Sequence, residues 1–201
     1  MHNQRLIPAI VMACTLALLS ACASTGSVRS EASVGAYRDS IDLSGRLLVN
    51  FEKDGKPDTI SVKFNWVQTA DMVDASLLSP TGQTVAKINV TPQAASLIQA
   101  GKEPRVARNI DELTAQTLGW SLPVSGMRDW LQGYATAVGG KRFAASPANN
   151  TVITADGWTL TFVSWQDEKA AQPLPKRIDA QRAASAASGE LALRIVLDQQ
   201  S

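Results

Sequence analysis

The residue best placed for a covalent reaction is Cys22, which follows Leu19-Ser20-Ala21. Two small residues before a cysteine let a peptidase seat the chain. The thiol can take a diacylglycerol as a thioether, and the cysteine then becomes the new N-terminus. The spacing is that of the bacterial lipobox. What precedes it agrees: a cationic start with His2 and Arg5, then an almost unbroken apolar stretch from Leu6 to Leu19. That stretch is shorter than the roughly 20 residues a helix needs to cross a bilayer, so it reads as a secretory signal rather than a membrane span. The alternative is an ordinary signal peptide cut near Ala23, with Cys22 incidental. Under the first reading, residues 1–21 are removed and a triacylated Cys22 holds a domain to a membrane, since several chains anchor where one does so only marginally. Ala23 follows the cysteine where the enterobacterial inner-membrane retention rule wants Asp, which favours the outer membrane, with the domain facing the periplasm.

Removing residues 1–21 alters what chemistry remains. His2 is the only histidine and Cys14 the only other cysteine. The rest of the chain therefore has no imidazole, no free thiol and no possible internal disulfide. Ser-His-Asp and Cys-His catalysis fall away, and so does an ordinary zinc site. There is no nucleotide-binding glycine motif and no S-x-x-K, so the expectation is no cofactor and no metal. A carboxylate-pair hydrolase stays open. The best-placed acids, Asp111 and Glu112, sit in the first turn of an expected helix, where they complement its dipole. Arg5 is the only one of the 19 Lys and Arg removed, leaving 18 against 18 Asp and Glu. That balance argues against nucleic acid as a partner and against a generally basic membrane-binding surface.

Apolar and aromatic side chains remain abundant, among them all five tryptophans: Trp66, Trp120, Trp130, Trp158 and Trp165. The elements that must position them start with Ala23 to Val34, small and polar, which reads as a flexible tether. A short helix is expected over 36–40. From Leu43 the period is two: Leu43, Gly45, Leu47, Val49 and Phe51 share a face. Lys53 to Pro57 is turn chemistry, and Ile60, Val62, Phe64 and Trp66 then alternate with polar residues. Short strands follow over 73–78, 84–90 and 95–99. Ile110, Leu113, Thr114, Thr117 and Leu118 have helical spacing between Asn109 as N-cap and Gly119 as stop. Pro123 breaks the chain before a second helix over 126–131, and Gly139-Gly140 ends the helical insert. Strands resume over 151–155 and 158–166, a weaker one over 174–181 broken near Pro175, and a last one over 191–197. Ala183 to Ser188 is a loop. The fold class is mainly β: an unclosed antiparallel β-barrel, or curved sheet, with a few short helices covering its mouth. Such a mouth is a common place for an apolar ligand cavity.

The ordered set of segments resembles the LolB family. It comprises Leu77 to Thr84, Gln116 to Val124, Met127 to Gly133, Asp156-Gly157-Trp158, Trp165 and Leu174-Pro175. The resemblance runs from about Leu43 to Leu197, so residues 43–201 form one lipid-binding domain behind the tether of 22–42. It implies a monomeric outer-membrane receptor that takes lipoproteins from the soluble carrier LolA. The acyl chains, palmitate among them, pass from cavity to cavity, and the lipoproteins are released into the inner leaflet without cofactor or covalent step. Burial is worth about 0.8 kcal/mol per methylene, so small differences in fit over several chains can set the direction of transfer. Candidates for an acyl-chain cavity are Phe64, Trp66, Leu77, Ile88, Leu97, Leu118, Trp120 and Trp130. The membrane-contact loop would be Leu78, Pro80, Thr81 and Gly82. Here the chain departs from the family, whose loop carries a bulky leucine where Thr81 stands; Leu78 could substitute if the turn exposes it. A competing reading is a structural outer-membrane lipoprotein that scaffolds a complex. A dry, filled core beside an exposed apolar patch would favour it, and binding of a fatty-acid probe would oppose it.

Overall fold

The computed structural model describes residues 29–53, 55–184 and 189–199. The signal segment, Cys22, residues 23–28 of the tether and part of the Ala183 to Ser188 loop lie outside the described residues. The elements run β1 (Ile41–Lys53), β2 (Lys56–Gln68), β3 (Val73–Leu78), β4 (Thr84–Val90), β5 (Ala95–Gln99), β6 (Arg105–Ala107), α1 (Ile110–Leu118) and α2 (Val124–Trp130). Then come β7 (Tyr134–Thr136), β8 (Arg142–Ala144), β9 (Thr151–Ile153), β10 (Thr159–Trp165), β11 (Pro175–Arg182) and β12 (Leu191–Leu197).

Ten strands make one antiparallel sheet in the order β6-β5-β4-β3-β2-β1-β12-β11-β10-β9, with β7–β8 a separate hairpin. Its two edges, β6 and β9, do not pair with each other, so the barrel is unclosed. Each long strand alternates as its sequence does. Leu43, Leu47, Val49 and Phe51 on β1 and Val62, Phe64 and Trp66 on β2 are buried, while the residues between them face water. Period two sends successive side chains to opposite faces, so the apolar set defines one inner face. Gly45 belongs to it for a steric reason. It lies opposite Phe64, and a Cβ there would come within 2.9 Å of that ring and 2.4 Å of the Val196 carbonyl. The glycine lets the Phe64 ring lie flat on the strand, a pairing that compensates a strand glycine.

Four expectations need correction. No helix forms over 36–40; that segment is irregular and packs on the domain. Val34 is buried and its N–H donates to Ala145 O, while the Tyr37 ring meets Tyr134 at 5.7 Å. A five-residue helix is too short to hold itself. The ordered domain therefore begins ahead of Leu43. The second helix starts at Val124, two residues earlier than expected: Pro123 is its N-cap, and the Pro123 carbonyl accepts from Met127 N–H at 2.9 Å to close the first turn. Gly139-Gly140 does not end a helical insert; it lies in the tight turn of the β7–β8 hairpin, which the sequence reading missed together with β6. Pro175, by contrast, does not break a strand: it opens β11, a position where its missing N–H costs little.

Candidate functional site

The inner face of β2 to β5 gathers the aliphatic and aromatic candidates. Phe64 pairs with Leu77 across β2–β3, and Ile88 pairs with Leu97 across β4–β5. Between them, Ala75 pairs with Trp66 and with Ile88, and Ala86 with Leu77. These alanines leave room for the cover that lies above. That cover is α1, which packs on β5 and β6 and touches α2. Leu118 is half-buried at its C-terminal end, and Trp120 and Trp130 are buried. All eight cavity candidates belong to, or pack against, the one continuous apolar core, with Trp130 on its Trp158 side. Phe64, Trp66, Ile88 and Leu97 are each no more than 1% exposed. A side chain with so little accessible surface touches no space that could hold a water, so this interior is closed and filled. Trp120 also lines a separate cavity of about 210 Å³ at the α1 C-terminus, with Phe51, Arg182 and Leu191. A larger cavity of about 430 Å³ lies between the N-terminal segment and the end of α2, against Leu43, Leu131 and Leu174. The sequence reading named none of those three as site residues.

The cover is attached by polar contacts at a few points. Asn109 Oδ1 accepts from the N–H groups of Asp111 and Glu112 at 2.9 and 3.1 Å, which caps α1. Gly119 ends it in the left-handed conformation at φ 83°. Thr114 Oγ1 donates to Asp111 O and accepts from Leu122 N–H, which folds the chain back under the helix. The Asp111 carboxylate accepts from Ser125 N–H at 3.2 Å and so joins α1 to α2. Burial pushes this carboxyl above the usual range, partly offset by its bonds to Ser125 and Val124. Arg128, on α2, donates to Thr69 O at 2.8 Å and Ala70 O at 2.9 Å, with Met72 O at 3.5 Å. It latches the second helix onto the β2–β3 turn. Arg128 lies in the Met127 to Gly133 segment that carries the family resemblance, but nothing in the sequence pointed to this role for it.

The far side of α2 is aromatic. Trp130 meets Trp158 edge to face at 5.6 Å, and Phe143, Phe162 and Trp165 stack in series at 6.2 Å. Such pairs add to plain burial. Trp66 is satisfied through Gln68, which accepts from the indole N–H at 3.2 Å and donates to Tyr37 Oη at 2.8 Å.

The expected membrane loop is a self-bonded turn. Ser79 N–H donates to Gln83 O, Gly82 N–H donates to Ser79 O, and Ser79 Oγ bonds Thr81 Oγ1 at 2.8 Å. Pro80, Thr81 and Gly82 are exposed. Leu78 is half-buried on the outer face of the sheet, opposite Lys63. The turn therefore does not present Leu78 at its tip. Among the described residues no helix is long and apolar enough to cross a membrane.

The family model described as outer membrane lipoprotein LolB matches residues 39–199. An outer-membrane lipoprotein LolB of Cupriavidus taiwanensis is 37% identical over 196 residues, which cover 92% of each chain. One from Cupriavidus necator is 38% identical over 182 residues and 90% of each chain. Among solved structures, a LolA superfamily protein from Nitrosomonas europaea aligns at a TM-score of 0.47 and 7% identity, over 83% of this chain and 86% of that one.

Proposed function

The chain belongs to the LolB family of outer-membrane lipoproteins, and on that premise we propose that its closed apolar interior opens to receive the acyl chains of lipoproteins brought by a LolA-type periplasmic carrier. Residues 1–21 are the signal, Cys22 carries the lipid, and the anchored domain faces the periplasm as a monomer. Cargo acyl chains enter between the inner face of β2–β5 and the α1–α2 cover, then leave for the inner leaflet of the outer membrane. No bond is made or broken and no cofactor takes part.

The observation that carries this reading is the construction of the interior. A largely apolar face bearing Phe64, Leu77, Ile88 and Leu97 is covered by two helices of nine and seven residues. Helices this short depend on packing rather than on their own stability. The shorter one has no side-chain N-cap and is held to the neighbouring turn through Arg128. α1 can move away from the aliphatic face while the sheet stays intact and α2 keeps its Trp130–Trp158 anchor. Acyl chains would then replace side-chain contacts with equivalent apolar ones, and the net cost of opening stays small.

The scaffold reading keeps one observation in its favour. The interior is filled, and Val85, Ile98 and Val106 are exposed on the outer face. The two readings separate in a transfer assay. The chain from residue 22 onward, carrying Cys22→Ser, is mixed with a carrier loaded with a lipoprotein. Movement of cargo onto this chain supports the acceptor. No movement, with near-ultraviolet circular dichroism showing a folded domain, supports the scaffold.

A further inference from the structure

We propose that the outer face of β3 to β6 is a phospholipid-contact surface that seats the domain on the membrane; this deepens the acceptor reading and rests on it for its biological setting. The register makes the apolar residues a continuous row. Leu78 lies opposite Thr84, next to the exposed Val85 at the irregularity in the β3–β4 ladder. Ala100 N–H donates to Val85 O, and Ile98 lies opposite Lys87. Val106 lies opposite Ser96. Leu78, Val85, Ile98 and Val106 therefore step diagonally across four strands, and diagonal neighbours in an antiparallel pair are about 7–8 Å apart, within side-chain reach. Val85, Ile98 and Val106 are 38%, 41% and 67% exposed. Single exposed apolar residues are ordinary, whereas a contiguous row marks an interaction surface.

The charges say what kind of surface. Lys63 stands opposite Leu78 and Lys87 opposite Ile98, both exposed. Lys102 is in the adjoining β5–β6 turn beside Glu103. The other acid on this face, Asp74, is engaged by Asn89 Nδ2 at 2.6 Å. Lysines placed within the apolar row are wrong for the centre of a protein interface, where charged residues are depleted. They suit a headgroup layer: the stems lie along apolar surface, the ammonium groups reach phosphate, and the row enters the acyl boundary. The opposite edge of the sheet offers a contrast. Ile153 and Val163 are exposed there too, but the Thr151–Thr161 cross-strand pair separates them. With Thr81 polar at the turn tip, this row supplies the apolar contact that the turn itself lacks.

The test uses the chain from residue 22 onward with Cys22→Ser, so that the lipid anchor does not mask weak binding. It is sedimented with vesicles of phosphatidylethanolamine and phosphatidylglycerol. The expected result is partition onto the vesicles. Val85→Thr with Ile98→Thr keeps the β-branching and lowers partition about ten-fold. Lys63→Gln and Lys87→Gln each lower it about five-fold, and Ile153→Thr with Val163→Thr changes nothing. Unchanged partition of the Val85/Ile98 variant, or no partition of the parent chain, overturns the proposal. So does a Val85/Ile98 variant that keeps vesicle binding but loses cargo acceptance, because the row would then be a carrier dock. A parent chain that binds vesicles yet takes no cargo supports the membrane surface and overturns the acceptor reading instead.

Discussion

The two halves of the sheet are built differently on both faces. In the β9–β12 half the inner face is fixed by rings: Trp130 on Trp158, and Phe143, Phe162 and Trp165 in a stack. Its outer face is tied by ions, with Asp179 held between Arg177 and Arg194. In the β3–β6 half the inner face is aliphatic and small (Ala75, Leu77, Ala86, Ile88, Ala95, Leu97), and α1 covers it. Its outer face carries an apolar row among lysines. Interlocked aromatic rings resist rearrangement, because each has few alternative positions at native density. Aliphatic side chains under a short helix can exchange one apolar neighbour for another. The difference assigns a fixed frame to one half and a working surface to the other.

The largest test of that division is Trp130→Ala. Removing a buried ring that anchors α2 costs about 3–5 kcal/mol, whereas Leu97→Ala, in the half that can adjust to the loss, falls toward the low end of the usual range of about 2–5. Denaturant unfolding of both variants measures this, and a larger loss from Leu97→Ala would invert the assignment. Next is Arg128→Ala, which frees the latch between α2 and the β2–β3 turn. Losing hydrogen bonds from a charged donor costs about 1–3 kcal/mol. Hydrogen exchange should quicken at the α2 and β2–β3 turn amides and stay slow in β10–β12, while binding of a fluorescent fatty acid is kept or made faster. Uniform acceleration through both halves would mean that the cover does not move separately.

The smallest effect concerns the frame's outer face. Burial pushes Asp179 up, but hydrogen bonds and charge from Arg177 and Arg194 outweigh it and hold the carboxyl below its ordinary value. A lowered folded pKa gives stability that is present above the unfolded value and lost as pH falls through the folded one. The group is partly exposed, so this contribution stays below about 1 kcal/mol. Asp179→Asn should lower the melting temperature slightly at pH 7 and leave it unchanged well below the ordinary aspartate range. An equal loss at both pH values would show that packing, not charge, is responsible.

Much of this architecture is legible in the sequence because its signals are local. Period-two alternation gives β1, β2 and β12, and Asn109 and Gly119 mark the ends of α1. What escaped is where tertiary partners decide. Segment 34–40 is irregular rather than helical because Val34 and Tyr37 find Ala145, Tyr134 and Gln68 far along the chain. Strands β6, β7 and β8 have three residues each, too few to show a period, although Gly139-Gly140 is itself a hairpin signal. At the site, alternation separated two faces and the inner one holds Phe64, Leu77, Ile88 and Leu97. It could not show that the interior is closed, that Arg128 fastens the cover, or that Leu78 belongs to a row running to Val106, because each depends on which strands become neighbours.

The most direct test is to transfer a lipoprotein whose acyl chain carries a photoactivatable diazirine onto the chain with Cys22→Ser, irradiate it, and map the crosslinked residues by mass spectrometry. The account predicts crosslinks at the inner face of β2–β5 and at α1, with Phe64, Leu77, Ile88, Leu97 and Leu118 among them. Crosslinks confined to the β9–β12 half or to the outer face, with cargo transferred, would contradict it.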